Sequence, residues 1–203
     1  MAVVNVTADA EEFTCNAYLL TGDHPALVDA GTMPGVVDVI KDHVDDLETV
    51  VLTHQHADHI GELDAIADAF DPEVYAYTDH PRRDHGLTDG ETITLDGEEF
   101  EAVHTPGHAA DHVSLVGDRA LFSGDVVVYN DGAFDDGSFG RTDMAGQSRE
   151  RLIESLETVL ERLPETVESM YAGHGDSFHA DEESVRAVIE RALSRAERRE
   201  PKY

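Results

Sequence analysis

Short apolar runs alternate with polar stretches along this chain, and their spacing changes in ways that separate strands from helices. Val3 to Thr7, Asn16 to Thr21 and Ala26 to Asp29 are brief and rich in Val, Leu and Ala, which predicts an opening set of strands. Thr49-Val50-Val51-Leu52 predicts another short buried strand. Pro34 to Val44 changes to helical spacing, with Pro in the first turn, where its missing N–H costs nothing. Gly61 to Phe70 predicts a short helix with Leu63, Ile66 and Phe70 on one face. Glu91 to Leu95 and Glu99 to His104 predict a hairpin around Asp96-Gly97. His112 to Val116 and Arg119 to Phe122 predict a second, around Gly117-Asp118. Gln147 to Leu163 is an amphipathic helix with Leu152, Leu156, Val159 and Leu163 facing inward. Asp181 to Arg199 predicts the last helix, opened by Asp181 and rich in Arg at its end, where the helix dipole favours cations. The pattern falls into two similar halves, each closing with a helix.

With 203 residues, no Ser/Gly/Pro-rich linker and no internal repeat, one domain over 1–203 is expected. No apolar run approaches the ~20 residues of a membrane span. Met1 to Glu12 has no basic segment and carries acids early, unlike a secretory signal. Cys15 is the only cysteine, so no intrachain disulfide can form. A cytoplasmic protein is the expectation. The 44 acids against 14 bases give a net charge of −30, yet 40% of residues are hydrophobic and regularly spaced, which argues against disorder. The acids form a solvated shell over an ordinary core. Salt screens such self-repulsion, so a salt-rich, halophilic cytoplasm is expected.

The chemistry concentrates in Thr53-His54-Gln55-His56-Ala57-Asp58-His59, where three histidines and a carboxylate leave the strand 49–52 for a predicted loop. Neutral imidazole and carboxylate suit zinc and other divalent first-row metals. More ligand types follow other apolar segments: His108 in Thr105-Pro106-Gly107-His108, Asp125 in Phe122-Ser123-Gly124-Asp125, and His174 in Tyr171-Ala172-Gly173-His174. Each follows a Gly, which lets backbone turn sharply close to a site. The number of donors suggests two ions. Isolated histidines such as His24, His43 and His80 are read as surface or core residues, and His104 and His179 as structural or exposed.

This set resembles the ligand set of the metallo-β-lactamase superfamily over nearly the whole chain. The resemblance implies an αββα sandwich of the mixed α/β class. It implies that His54, His56 and His108 hold a first metal, that Asp58, His59 and His174 hold a second, and that Asp125 bridges them. Antibiotic-destroying lactamases usually carry Cys where Asp125 stands, so the chain looks like the glyoxalase-II-like (hydroxyacylglutathione hydrolase-like) branch. Gly140-Arg141-Thr142-Asp143 is similar to segments of short glyoxalase-II-like hydrolases and of persulfide dioxygenases. It makes Arg141 the candidate to bind a substrate carboxylate, the structural alternative being an Arg tied to Asp143. Glyoxalase II proper reads G-H-E-Y at the last histidine, whereas here Gly173-His174-Gly175-Asp176 supplies no such Tyr. Its helical C-terminal domain is also not expected, with one helix after His174.

The expected enzyme is therefore a dinuclear metal-dependent hydrolase of thioesters or esters, with a metal-bridging hydroxide as nucleophile and Asp58 orienting it. Zinc is the expected metal, and the same donors accept iron or manganese. The alternative is a mononuclear iron persulfide dioxygenase using His54, His108 and Asp125; a third reading is a metal-binding protein without catalysis. A small-molecule substrate is expected, with no membrane partner. No nucleic acid is expected either, because nuclease relatives need basic surfaces and an inserted domain. Oligomeric state is left open. Asp29 is expected to accept a hydrogen bond from a ligating imidazole. His112 is expected to line the pocket or to pack locally.

Overall fold

In β2 (Tyr18–Leu20), β3 (Ala26–Val28) and β4 (Thr49–Val51), side chains alternate between two buried layers. Tyr18, Leu20, Val28 and Val51 face one core and Leu19, Leu27 and Val50 another, so the sheet they form is covered on both faces. A sheet with parallel pairs requires that cover, because its crossover helices pack against a face. The computed structural model describes residues 2–200.

The first sheet has the order β1-β2-β3-β4-β5-β6, adding β1 (Val3–Asn5), β5 (Glu73–Ala76) and β6 (His85–Gly86). The second has the order β12-β11-β10-β9-β8-β7. It contains β7 (Glu91–Leu95), β8 (Glu98–His104), β9 (Val113–Gly117), β10 (Ala120–Gly124), β11 (Ser169–Ala172) and β12 (Phe178–His179). Between the sheets lie Tyr18, Val28, Val51, Phe100, Leu115 and Phe122. Outside the first sheet, α1 (Val36–Lys41) and α3 (Leu63–Phe70) contribute Val36, Ile40, Leu63 and Ile66 to a second core. Outside the second sheet, α4 (Arg149–Arg162) and α5 (Val185–Glu197) set Leu152, Leu156, Val188 and Ile189 against Val103, Leu121 and Met170. The layers are thus helix, sheet, sheet, helix, as expected.

Strand direction positions the site. β3 pairs parallel with β4, Val28 opposite Val51, and β10 pairs parallel with β11, Leu121 opposite Met170. Within each pair, the C-terminal ends emerge at the same edge, which is where sites form in such sheets. The residues that follow are Asp29, Thr53-His54, Asp125 and Gly173-His174.

Several boundaries differ from the pattern-based expectation. The histidine motif does not stay a loop: Asp58 and His59 lie in a one-turn helix, α2 (Ala57–Ile60). The last helix starts after Ser184, whose side chain accepts from the Ala187 N–H, rather than at Asp181. The β7–β8 turn is as expected, with Asp96 and Gly97 both at positive φ (49° and 78°), as a type I′ turn requires. In the next hairpin Gly117 stays in β9, and Asp118-Arg119 form the turn.

Candidate metal centre

Three of the motif's neighbours converge nitrogen to nitrogen. His56 Nδ1 lies 3.0 Å from His54 Nε2 and 2.9 Å from His108 Nε2. The partners of these rings fix where their protons sit. Thr53 Oγ1 gives its one proton to Asp29 Oδ2 at 2.7 Å, so at 3.1 Å it accepts from His54 Nδ1–H. His108 Nδ1–H donates to the Arg141 carbonyl at 2.9 Å. Both neutral rings therefore aim bare Nε2 lone pairs at His56, and a single His56 proton could serve only one of them. A cation among the three nitrogens resolves the conflict, and the three can hold one together. Burial pushes the pKa values of His54 and His108 down, His54 well down, so both favour the neutral form that binds metal.

Asp58, His59 and His174 form a second possible set. His59 Nδ1 donates to Asp29 Oδ2 at 2.8 Å, which turns Nε2 towards Asp58 and Asp125. His174 Nε2 lies 3.1 Å from Asp58 Oδ2. The electrostatics are opposite to those of the first set. Burial alone would lower His59 and His174, but the carboxylates of Asp29 and Asp125 beside His59, and of Asp125 and Asp58 beside His174, raise them, His59 well above 6.5. Burial alone would raise Asp58, but His174 and His59 hold it low.

Asp125 sits between the sets. Its Oδ2 is 3.3 Å from His108 Nε2 and 3.4 Å from His174 Nε2, and its Oδ1 is 3.5 Å from His59 Nε2. Burial would raise this carboxyl, but His174, His59 and His108 hold it well below the usual carboxylate range. His59 Nε2 and Asp125 Oδ1 are buried without a hydrogen-bond partner among the described residues. Such orphaned atoms are costly unless something else completes them, and a divalent cation would. The donor set therefore fits metal. The site also needs Gly173, where any Cβ would strike Asp125 Oδ1 and His59 Cε1. Cys15 is buried close by, and its thiol is pushed up by burial to about 11, so it stays protonated.

A buried chain of hydrogen bonds holds Asp125 from behind. The Asp125 N–H donates to His112 Nε2 at 2.8 Å, which makes Nδ1 the protonated nitrogen, and Nδ1–H donates to Thr105 Oγ1 at 2.7 Å. Thr105 donates to Ser114 Oγ at 3.2 Å, and Ser114 to the Ser123 carbonyl. His112 is thus a packed residue tied to the strand end that carries Asp125, and it does not line the cavity. Gly124, at φ 50°, leaves room for it, since a Cβ there would strike His112 Nε2. His104 stacks on Tyr77 and His179 bonds to Ser169, structural roles as expected.

A cavity of 690 Å³ opens over the centre, lined by His56, Asp58, His108, Asp125 and His174 and also by Phe13, Arg141 and Met144. That volume suits a small molecule. Arg141 lines the cavity, and its Nε and Nη2 bond to Asp143 at 2.9 and 3.0 Å, the pairing that the structural alternative describes. Sequence reasoning did not find Phe13 or Met144, which carry no motif. It also passed over Thr53, whose place immediately before His54 was a usable signal.

The profile of the metallo-beta-lactamase superfamily matches residues 10–83 and 75–174. Hydroxyacylglutathione hydrolase of Vibrio cholerae is 38% identical over 106 residues, 50% of this chain and 42% of that protein. The chain thus spans about half the length of the curated relatives it matches. Among solved structures, TTHA1623 in a di-iron-bound form has a TM-score of 0.65 and 26% identity, covering 88% of this chain and 93% of that one. ETHE1 from Myxococcus xanthus has a TM-score of 0.72 at 22% identity, covering 93% and 87%, a likeness of fold alone.

Proposed function

We propose that this chain, which belongs to the metallo-β-lactamase superfamily, is a dinuclear metal-dependent hydrolase of thioesters of the hydroxyacylglutathione hydrolase type. The observation that carries this reading is the meeting of two complete donor sets at Asp125. His54, His56 and His108 would hold one cation, Asp58, His59 and His174 the other, and Asp125 both. Such a pair, when bound, lowers the pKa of a shared water and polarises a carbonyl oxygen.

The chain's own groups supply the remaining functions. Asp58 lines the cavity as an ionised carboxylate, placed to orient the attacking water and take its proton. Asp29 fixes His59 directly and His54 through Thr53, so one buried carboxylate orients an imidazole in each set. Arg141 stands at the cavity wall, where its guanidinium can meet a substrate carboxylate in exchange for Asp143. Zinc is the proposed metal, and the di-iron form of TTHA1623 supports two-metal occupancy in this fold.

Metal analysis of the isolated protein, together with an assay on S-lactoylglutathione, tests the reading. Two ions per chain with thioester cleavage are expected. One iron with oxygen uptake on a persulfide would favour the mononuclear dioxygenase. That alternative leaves Asp58, His59 and His174 without a task, although their geometry is as developed as that of the first set. We place the protein in a salt-rich cytoplasm on its charge of −30.

A further inference from the structure

Among the described residues, the large hydrophobic side chains that stand exposed are Phe13 and Met144, at 76% and 55%. Both line the cavity over the metal centre. They come from distant parts of the chain, Phe13 from the loop before β2 and Met144 from the loop before α4. Scattered exposed hydrophobics need no explanation, but two that meet at one concave site mark a contact surface. Phe13 stacks on the His174 ring, with centroids 5.1 Å apart and planes at 15°. An apolar surface therefore reaches the candidate ligands themselves. The cavity's charged lining is otherwise mostly acidic, with Asp58, Asp125 and Asp131, and its cation Arg141 is engaged by Asp143.

We propose that Phe13 and Met144 determine specificity by receiving an aryl or bulky alkyl group on one arm of the thioester, so that the substrate class is apolar thioesters. The substrate class rests on the thioester-hydrolase reading; the apolar subsite itself does not. An apolar substituent in a fitted pocket shifts affinity by about tenfold or more.

The test measures binding of two non-hydrolysable thioethers of N-acetylcysteamine, an uncharged thiol, to the metal-loaded protein by calorimetry. One is S-benzyl and the other S-methyl. The benzyl probe is expected to bind at least about tenfold more tightly. The ratio should fall to about threefold or less in Phe13→Ala and in Met144→Ala, and be largely kept in Phe13→Leu. Both side chains are exposed, so the variants should keep the wild-type melting temperature. Equal binding of the two probes, or a ratio untouched by both alanine variants, overturns the subsite. Tight, Phe13-dependent benzyl binding in a protein that cleaves no thioester keeps the subsite and sinks the hydrolase reading. Thioester cleavage without benzyl preference does the reverse.

Discussion

The donor sets His54/His56/His108 and Asp58/His59/His174 are prepared for a cation in different ways. In the first, buried imidazoles are turned by Thr53 and the Arg141 carbonyl, and burial keeps His54 and His108 neutral. In the second, carboxylates beside His59 and His174 draw protons onto the rings. The same residue type thus behaves oppositely according to whether solvent loss or a neighbouring charge prevails. The first set waits with open lone pairs, and the second keeps protons where a cation would go. Asp125 faces both and is held ionised by the histidines on either side.

The largest effect should come from removing the residue the two sets share. Asp125→Ala is expected to lose metal from both sets and to reduce thioester hydrolysis about a thousandfold or more, the rate equivalent of several kcal/mol of lost charge stabilisation. Retention of two ions in this variant would break the picture of a shared carboxylate.

Acidification should separate the sets. A ring with a raised pKa takes its proton at a pH above 6.5, whereas one with a lowered pKa takes it only below that value. Metal needs the neutral ring, so the second set should release its ion first as pH falls. Metal content measured across a pH series checks the order, and loss from the first set at higher pH would reverse the assignment.

Asp29→Asn is expected to weaken metal binding about 10–100-fold, the range for such supporting residues. The loss should be larger in the second set, because Asp29 touches His59 directly and reaches His54 only through Thr53. His112→Phe removes the acceptor for the Asp125 N–H and should cost about tenfold in activity. In the wild type, nitrogen-15 spectra should show His112 protonated at Nδ1; an Nε2–H tautomer would contradict the chain through Thr105. The smallest effect concerns the surface. Raising KCl from dilute buffer to about 2 M should increase the melting temperature, since screening relieves repulsion among 44 acids. Greatest stability in dilute buffer would rule this out.

The sequence showed the ligand types plainly, because His54, His56, Asp58 and His59 are crowded together and His108, Asp125 and His174 each follow a Gly after an apolar run. It showed the layers as well, since Leu152, Leu156 and Val159 repeat at helical spacing. It could not show α2, whose four residues are too short for a period to register. Likewise β5, β6 and β12 are two to four residues long and gave no pattern. Asp181 was read as the start of the last helix, and the backbone geometry moves its cap to Ser184. The task of His112 depends on the contact by which the sheet carries Asp125 back to it, and Phe13 reaches the His174 ring across 161 positions of chain. Contacts of that kind leave no local mark.

Anomalous diffraction from crystals of the metal-loaded protein tests the central claim most directly. Two peaks are predicted, one among His54, His56 and His108 and one among Asp58, His59 and His174, with Asp125 in contact with both. A single peak in saturating metal, or peaks away from these side chains, would contradict it.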